Sequence, residues 1–499
     1  MGSPAVQEPM DSTTPISGHC SVNVVNVEED PSFVIPPSPS PTTIKASTSH
    51  ESPRSPGLRS VDIRKASFGS GKGCVIQSTS GVQYIDCVSK DVLLGHANLK
   101  IMETTNQQTL SSNVGLLHTN TAELTRRLVS LLPAPLTACF FVNSYSEAND
   151  LALTMAACYT GSEEVICLEK ADHGKTSTCL KISRDRSPHF GKCRVLNTVP
   201  IPDSYRGKIR EGEFPVDDIG WMYSGDVKEV CHNIVSESRK VGAFICEPII
   251  HQAGHISLPD RYLTEVYRCV QSHQGILISD ETYSGLGRTG DFTWGFQKYD
   301  VIPDIVTIGK GLANGHPLAA VVTSKEIAKK ITSIVSYYNF LGDPISCAIA
   351  LSVLEQLDET KVLENVRKVG KYLLLKLSQF SERFDFVGQV RGQGLSLALD
   401  LVHSDSREPN TVAAQFVRQK MFERQVVVEL SGFHRSIIGL SPPLVLTMQE
   451  AMSVALKMSE VLQEAEKVFG RKRQKSDDEN TDDCFPKGHI SNHPKRMRR

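Results

Sequence analysis

Ile276-Leu277-Ile278-Ser279-Asp280-Glu281-Thr282-Tyr283 opens as a short apolar run and ends in two adjacent acids. A run of that length, bounded by polar residues, reads as a strand buried on both faces. Four further segments carry the same signature: Ala138–Val142, Val165–Leu168, Ala243–Cys246 and Ile305–Ile308. Amphipathic stretches suited to helices fall around them, at Thr121–Leu132, Ser146–Thr160, Pro259–Ser272, Ser346–Leu357 and Glu450–Val468. Alternation of this kind predicts an α/β fold with a mostly parallel sheet. No internal repeat interrupts it.

Outside this region the composition changes. Of residues 1–60, 27 are Ser, Thr or Pro, too little apolar surface to offset chain entropy, so this segment is expected to be a disordered tail. Its six acids against three bases argue against a mitochondrial transit peptide. Residues 471–499 are expected to be a second disordered tail, with basic runs at both ends of an acidic patch. A solvated end, a nuclear-localisation signal and a patch for acidic ligands stay open as readings of it.

The chain has 499 residues with 54 Lys+Arg against 56 Asp+Glu. At roughly 150 residues per domain that length allows two or three domains, and the balanced charge lacks the basic excess of a nucleic-acid binder. No apolar run approaches the ~18 residues of a membrane span. Thirteen Cys without a C-x-x-C pair fit neither a disulfide framework nor a zinc pattern. The expectation is a cytoplasmic protein with reduced thiols, no metal, no nucleic-acid partner and no membrane partner; mitochondrial import by an internal signal stays open.

Three features stand at ends of expected strands, where open α/β sheets bind ligands. Asn143-Ser144-Tyr145-Ser146-Glu147 turns from strand into helix, whose first amides suit either a phosphate or an ordinary serine cap. Asp280 follows a buried strand and could pair with a protonated ring nitrogen or cap the next turn. Lys310, between Gly309 and Gly311 after another buried strand, is a candidate Schiff-base amine or a surface-loop lysine. Taken together, a phosphate cradle, a ring-nitrogen acid and a lysine are the parts of a pyridoxal-phosphate site.

At these residues the sequence resembles the class-III (ω-type) aminotransferases of the fold-type-I pyridoxal-phosphate family. The segment Ser279 to Gly290, Trp294-Gly295-Phe296-Gln297 and Pro303 to Pro317 carry the likeness, which extends over about 61–470. Ser144 to Leu153, Pro202 to Lys208 and Gly309 to Pro317 look closest to the ethanolamine-phosphate and phosphohydroxylysine phospho-lyases. The resemblance implies a large domain of 101–370 and a small α/β domain built from 61–100 and 371–470. It also implies a homodimer in which the partner subunit lends the residue at position 339.

By the same resemblance, Lys310 forms the Schiff base and moves the proton, and Asp280 keeps the ring nitrogen protonated. Ser146 and His173 belong to the cofactor's surroundings, and Arg391 in Val390-Arg391-Gly392-Gln393-Gly394 binds an anionic substrate group or bridges domains. Many family members clamp that arginine with a Glu five residues after Glu-Pro; here Gln252 follows Glu247-Pro248, so Arg391 is expected to be unclamped. Five positions around the cofactor depart from the family. Tyr145 replaces the Gly of the phosphate turn, and Asp172 replaces the aromatic stacked on the ring, putting a negative charge beside it. Tyr283 replaces a Gln that reaches the cofactor's phenolic oxygen, with Thr282 for Val next to it, and Asn339 replaces the Thr lent across the dimer.

Three functions follow from these residues. A phospho-lyase would eliminate phosphate from a phosphorylated primary amine or amino acid such as ethanolamine phosphate. A transaminase would use the same Lys310 and Asp280. A degenerate scaffold, retained for binding or oligomerisation, would account for the substitutions.

Overall fold

The computed structural model describes residues 67–111, 118–183, 197–335, 342–404 and 406–470, with backbone only at 310 and 332–335. Both expected tails, Asn339 and the side chain of Lys310 lie outside the described residues.

Three strands open the chain: β1 (Phe68–Lys72), β2 (Val75–Ser78) and β3 (Gln83–Asp86), an antiparallel meander. Helices α1 (Leu99–Ser111) and α2 (Thr119–Val129) follow, then β4 (Ala138–Val142), α3 (Tyr145–Thr160), β5 (Val165–Leu168) and the short α4 (Ser177–Ile182). The middle of the chain runs β6 (Asn197–Val199), α5 (Val216–Ser236), β7 (Ala243–Cys246), the hairpin β8 (Ile249–Ile250) and β9 (Ile256–Ser257), and α6 (Tyr262–Ser272). Next come β10 (Ile276–Asp280), β11 (Ile305–Ile308), β12 (Ala319–Thr323), α7 (Lys325–Val335), α8 (Pro344–Glu359) and α9 (Val362–Arg383). The last part holds β13 (Val387–Gln393), β14 (Ser396–Leu401), α10 (Thr411–Glu423), β15 (Val426–Val427), β16 (Glu429–Ser431), β17 (Ile437–Leu440) and α11 (Met448–Phe469).

The expected strands occupy a seven-stranded sheet ordered β4-β12-β11-β10-β7-β5-β6. Only β12 runs against its neighbours; the pairs β10/β11, β10/β7, β5/β7 and β5/β6 are parallel. Every residue of β5, β7, β10, β11 and β12 is buried, which is why these strands read as continuous apolar runs rather than as alternating ones. Because β4, β5, β7, β10 and β11 point the same way, residues 143–146, 169–173, 247–255, 281–283 and 309–310 all leave the sheet at one edge. Sheet polarity thus gathers candidate residues from segments far apart in the chain.

Helix ends follow local chemistry. Ser144 rather than Ser146 caps α3, its Oγ accepting from Glu147 N at 3.2 Å while Glu147 Oε2 accepts from Asn143 N. The expected start of α6 at Pro259 is three residues early: Arg261 precedes the helix with φ 67°, a left-handed turn that the apolar periodicity does not reveal. Thr447 and Glu450 form a reciprocal capping box at the start of α11.

A second sheet, β13-β14-β17-β16, is antiparallel throughout. A third joins β1-β2-β3 to β15, with Val426 in parallel register beside Ile85. Gly370 in α9 lets the helix meet the β13–β14 turn, since a Cβ there would lie 2.3 Å from Gly394 O. None of the described helices is long and apolar enough to cross a membrane.

Candidate active site

Asp280 ends β10 with 1% of its surface exposed. Its Oδ2 accepts from Asn149 Nδ2 at 2.7 Å and from His173 Nδ1 at 2.9 Å, and its Oδ1 accepts from Thr282 N at 3.1 Å. Thr307, its register partner on β11, donates to Asn149 Oδ1 at 2.6 Å and so fixes that amide's orientation. Burial pushes the Asp280 carboxyl up, but the His173 and Thr282 hydrogen bonds outweigh it and hold the group below its ordinary value. The result is a buried carboxylate kept ionised, suited to holding a proton on a ring nitrogen. His173 Nε2 is buried and finds no partner among the described residues, and neither does Thr282 Oγ1. Sequence reasoning named Asp280 and His173 but missed Asn149 and Thr307, whose polar side chains are buried on otherwise apolar elements.

At the first turn of α3, Ser146 Oγ accepts from Lys175 N at 3.1 Å. Gly174, at φ 125°, packs so closely that a Cβ would lie 2.7 Å from Ser146 Cα, so only glycine permits this approach. Tyr145 is half-buried, its ring 6.2 Å from that of Tyr283. Burial and then the charge of Asp172 push its hydroxyl up to about 12. Asp172 is not the bare charge expected from sequence. Its Oδ1 accepts from Gly174 N at 3.1 Å, and its Oδ2 lies 3.4 Å from Lys175 Nζ, because the loop turns back on itself there.

Lys310 begins a short 3-10 turn directly beyond β11, on the sheet edge that carries Asp280. Thr282 presses on the preceding Gly309, where a Cβ would stand 2.7 Å from Thr282 Cγ2. The Tyr283 ring is flanked by the His251 ring at 4.7 Å and by Lys90 Nζ at 4.4 Å from its centroid.

Arg391 is clamped, contrary to the expectation from Gln252. Its Nε donates to Gly254 O at 2.8 Å and its Nη1 to Gln389 Oε1 at 2.8 Å, with Asp400 Oδ2 at 3.3 Å. Asp400, fully buried on β14, also accepts from Arg206 Nε at 2.9 Å. The clamp comes from the strand beside Arg391 rather than from the segment after Glu247. Arg391, Arg206, Lys208 and Arg407 line a cleft of about 480 Å³.

Residues 60–462 match the model of the family described as aminotransferase class-III. The chain belongs to the class-III aminotransferase family. Members of this family are pyridoxal-phosphate-dependent transaminases and phospho-lyases. The chain is 35% identical over 401 residues to a Drosophila melanogaster protein named alanine–glyoxylate aminotransferase 2-like, covering 79% of this chain and 81% of that one. It is 32% identical to the ethanolamine-phosphate phospho-lyase homolog 1 of Caenorhabditis elegans, covering 76% and 85%. Among solved structures it is similar to a phospholyase from Arthrobacter in complex with phosphoethanolamine, with TM-score 0.77, 30% identity and coverage of 82% and 97%.

The described residues fit the cofactor at its ring-nitrogen end. Asp280 offers an ionised oxygen, and the orphaned His173 Nε2 and Thr282 Oγ1 mark polar atoms awaiting a partner. At the phosphate end the close Gly174–Ser146 approach keeps the first turn of α3 compact, and Tyr145 begins that turn with a bulky group.

Proposed function

We propose that this chain is a pyridoxal-phosphate-dependent phospho-lyase that eliminates phosphate from the β-carbon of a small phosphorylated primary amine or amino acid. The observation that carries the reading is the Asp280 carboxylate, held ionised by His173 and Asn149 on the sheet edge from which Lys310 emerges. The cofactor, when bound, draws electrons from the amine's α-carbon and so weakens its C–H bond. Asp280 holds the proton on the ring nitrogen. Asn149 and Thr307 keep its carboxylate in place. Lys310 carries the cofactor and removes the α-proton. The first turn of α3, with Ser146, and the partner subunit's residue at position 339 receive the cofactor phosphate in a homodimer. Arg391 faces the substrate's anionic group, held in a fixed orientation by Asp400 and Gln389 rather than free to swing. Loss of the β-phosphate and hydrolysis would leave an aldehyde and ammonia.

Elimination is favoured over transamination by the likeness to the Arthrobacter phospholyase along nearly its whole length. A degenerate scaffold is the second reading, and Tyr145 in the phosphate turn favours it. Titrating the purified chain with pyridoxal phosphate separates these readings. The lyase reading expects a visible absorption band that borohydride removes, loss of that band in Lys310→Ala, and phosphate release from ethanolamine phosphate. Amino transfer to a keto acid without phosphate release would assign a transaminase, and absence of any band would assign the scaffold. We propose a cytoplasmic location, which cell fractionation would test.

A further inference from the structure

The turn between β8 and β9 carries His251 and His255, and β16 brings Glu429 against both. His251 Nε2 lies 3.2 Å and His255 Nε2 3.4 Å from the same carboxylate atom, Glu429 Oε1. One ligand atom from each of the three residues falls within 4.8 Å of the others. A tetrahedral zinc with bonds of about 2.0–2.1 Å spaces its ligands by about 3.3–3.4 Å, and the two measured separations match that spacing. Both imidazoles are buried, at 2% and 0% exposure.

The space also suits a cation. His255 Nε2 and Glu429 Oε1 are shielded from solvent, and neither makes a well-formed hydrogen bond among the described residues. On its other side His255 Nδ1 meets Ser396 Oγ at 2.9 Å, the outer contact that fixes a metal-binding imidazole. Gly439 pairs with Glu429 across the sheet, and a Cβ there would lie 2.8 Å from His255 Nε2 and 3.1 Å from Glu429 Oε1. These two atoms can face each other there because residue 439 has no side chain.

We propose that His251, His255 and Glu429 bind a first-row divalent cation, Zn²⁺ foremost, beside the Tyr283 ring. Two imidazoles and one carboxylate leave a fourth position open, as in catalytic rather than structural zinc sites, with Ser441 Oγ 3.1 Å from His251 Nε2. Lys90 competes with the metal. Its Nζ stands 3.3 Å from His251 Nδ1 and 3.9 Å from Glu429 Oε2, so in the metal-free chain it supplies the positive charge. Zinc on His251 Nε2 would move that ring's proton from Nε2 to Nδ1, facing Lys90, and so displace the ammonium. The ligands come from one turn and one strand far apart in sequence.

A second group, Cys231, Cys269 and His273, also lies within metal-binding reach, and the test removes it. Full-length Cys269→Ser protein, freed of metal by a chelator and kept without pyridoxal phosphate, would be titrated with Zn²⁺ and Co²⁺. One Zn²⁺ per chain is expected, with Co²⁺ giving visible d–d bands and no near-ultraviolet thiolate band. His255→Gln and Glu429→Gln should weaken binding by at least about a hundredfold, and Gly439→Ala should weaken it with all three ligands present. Lys90→Met, which only removes the competing charge, should tighten binding several-fold. Failure of the Cys269→Ser chain to retain zinc overturns the proposal, as does unchanged affinity in the histidine and glutamate variants. Should those variants not fold, no tightening in Lys90→Met would overturn it. The cofactor reading stands or falls separately, since no cofactor enters the test.

Discussion

Tyr145 sits where helix amides would otherwise meet a phosphate, and glycine at that position would clear the first turn of α3. Tyr145→Gly is expected to tighten pyridoxal-phosphate binding about tenfold, or ~1.4 kcal/mol, read by titrating cofactor-free protein. An unchanged affinity would mean that the ring already stands clear of the phosphate. Asp172 is best left in place, because it caps Gly174 and pairs with Lys175. Glu247 offers a different test. It is buried, neither carboxylate oxygen has a partner among the described residues, and burial followed by the charges of Asp280 and Asp172 raises it well above 4.5. In the folded chain it keeps its proton after the unfolded chain has lost it, so stability falls as pH rises from about 4.5 toward the folded value. Glu247→Gln should therefore match the parent in acid and exceed it increasingly toward neutrality, by up to about 1.4 kcal/mol per pH unit. Denaturant melts across pH 4–8 would show it, and parallel curves would contradict it. Asp280 was legible in the sequence because an acid follows directly on an apolar run, and His173 only through the family resemblance. Thr307 was not, because one buried polar side chain barely disturbs the apolar strand around it, and Asn149 was not, because it stands among other polar residues in the first turns of α3.

Elements bring together what spacing hides. Arg391 and Asp400 are nine residues apart on β13 and β14, and only the antiparallel register turns both toward Arg206. From the sequence, a clamp was sought after Glu247, and the strand partner went unseen because hairpin register is not written in composition. Asp400 neutralises two guanidinium groups whose side chains are 20% and 12% exposed. Asp400→Asn leaves both without a buried counter-charge, and breaking such a pair costs about 3–5 kcal/mol. The partial exposure of the arginines places the expected loss toward the lower end, as a fall in urea midpoint with unchanged slope. A loss below about 1 kcal/mol would show that water already solvates both groups. The buried parallel strands β5, β7, β10 and β11, by contrast, were legible almost to the residue, since covering both faces of a parallel sheet forces an unbroken apolar run.

Across the whole molecule, the parallel pairing of β15 with β3 ties the opening strands to the part of the chain beyond α9. We propose that residues 67–100 and 371–470 form one folding unit and residues 101–370 another, although the first is split in sequence. The core gives the argument its physical content. Tyr84 stacks on Phe422 at 4.7 Å, Ile85 N donates to Gln425 O, and Cys87 N donates to Val427 O, so the opening strands and the final segment share ring contacts and backbone bonds. Opening one without the other would expose those amides to solvent and forfeit the β15 register. Native-state hydrogen exchange should then give amides of β2, β3, β14 and β17 a common opening free energy, distinct from that of β7, β10 and β11. Cutting the chain in the loop before α1 would test the same coupling: β15 and β16 should lose protection while the seven-stranded sheet keeps its own. Equal protection in both sets would instead mean a single cooperative unit, in which the sheet that positions Asp280 and the sheet that positions Arg391 open together.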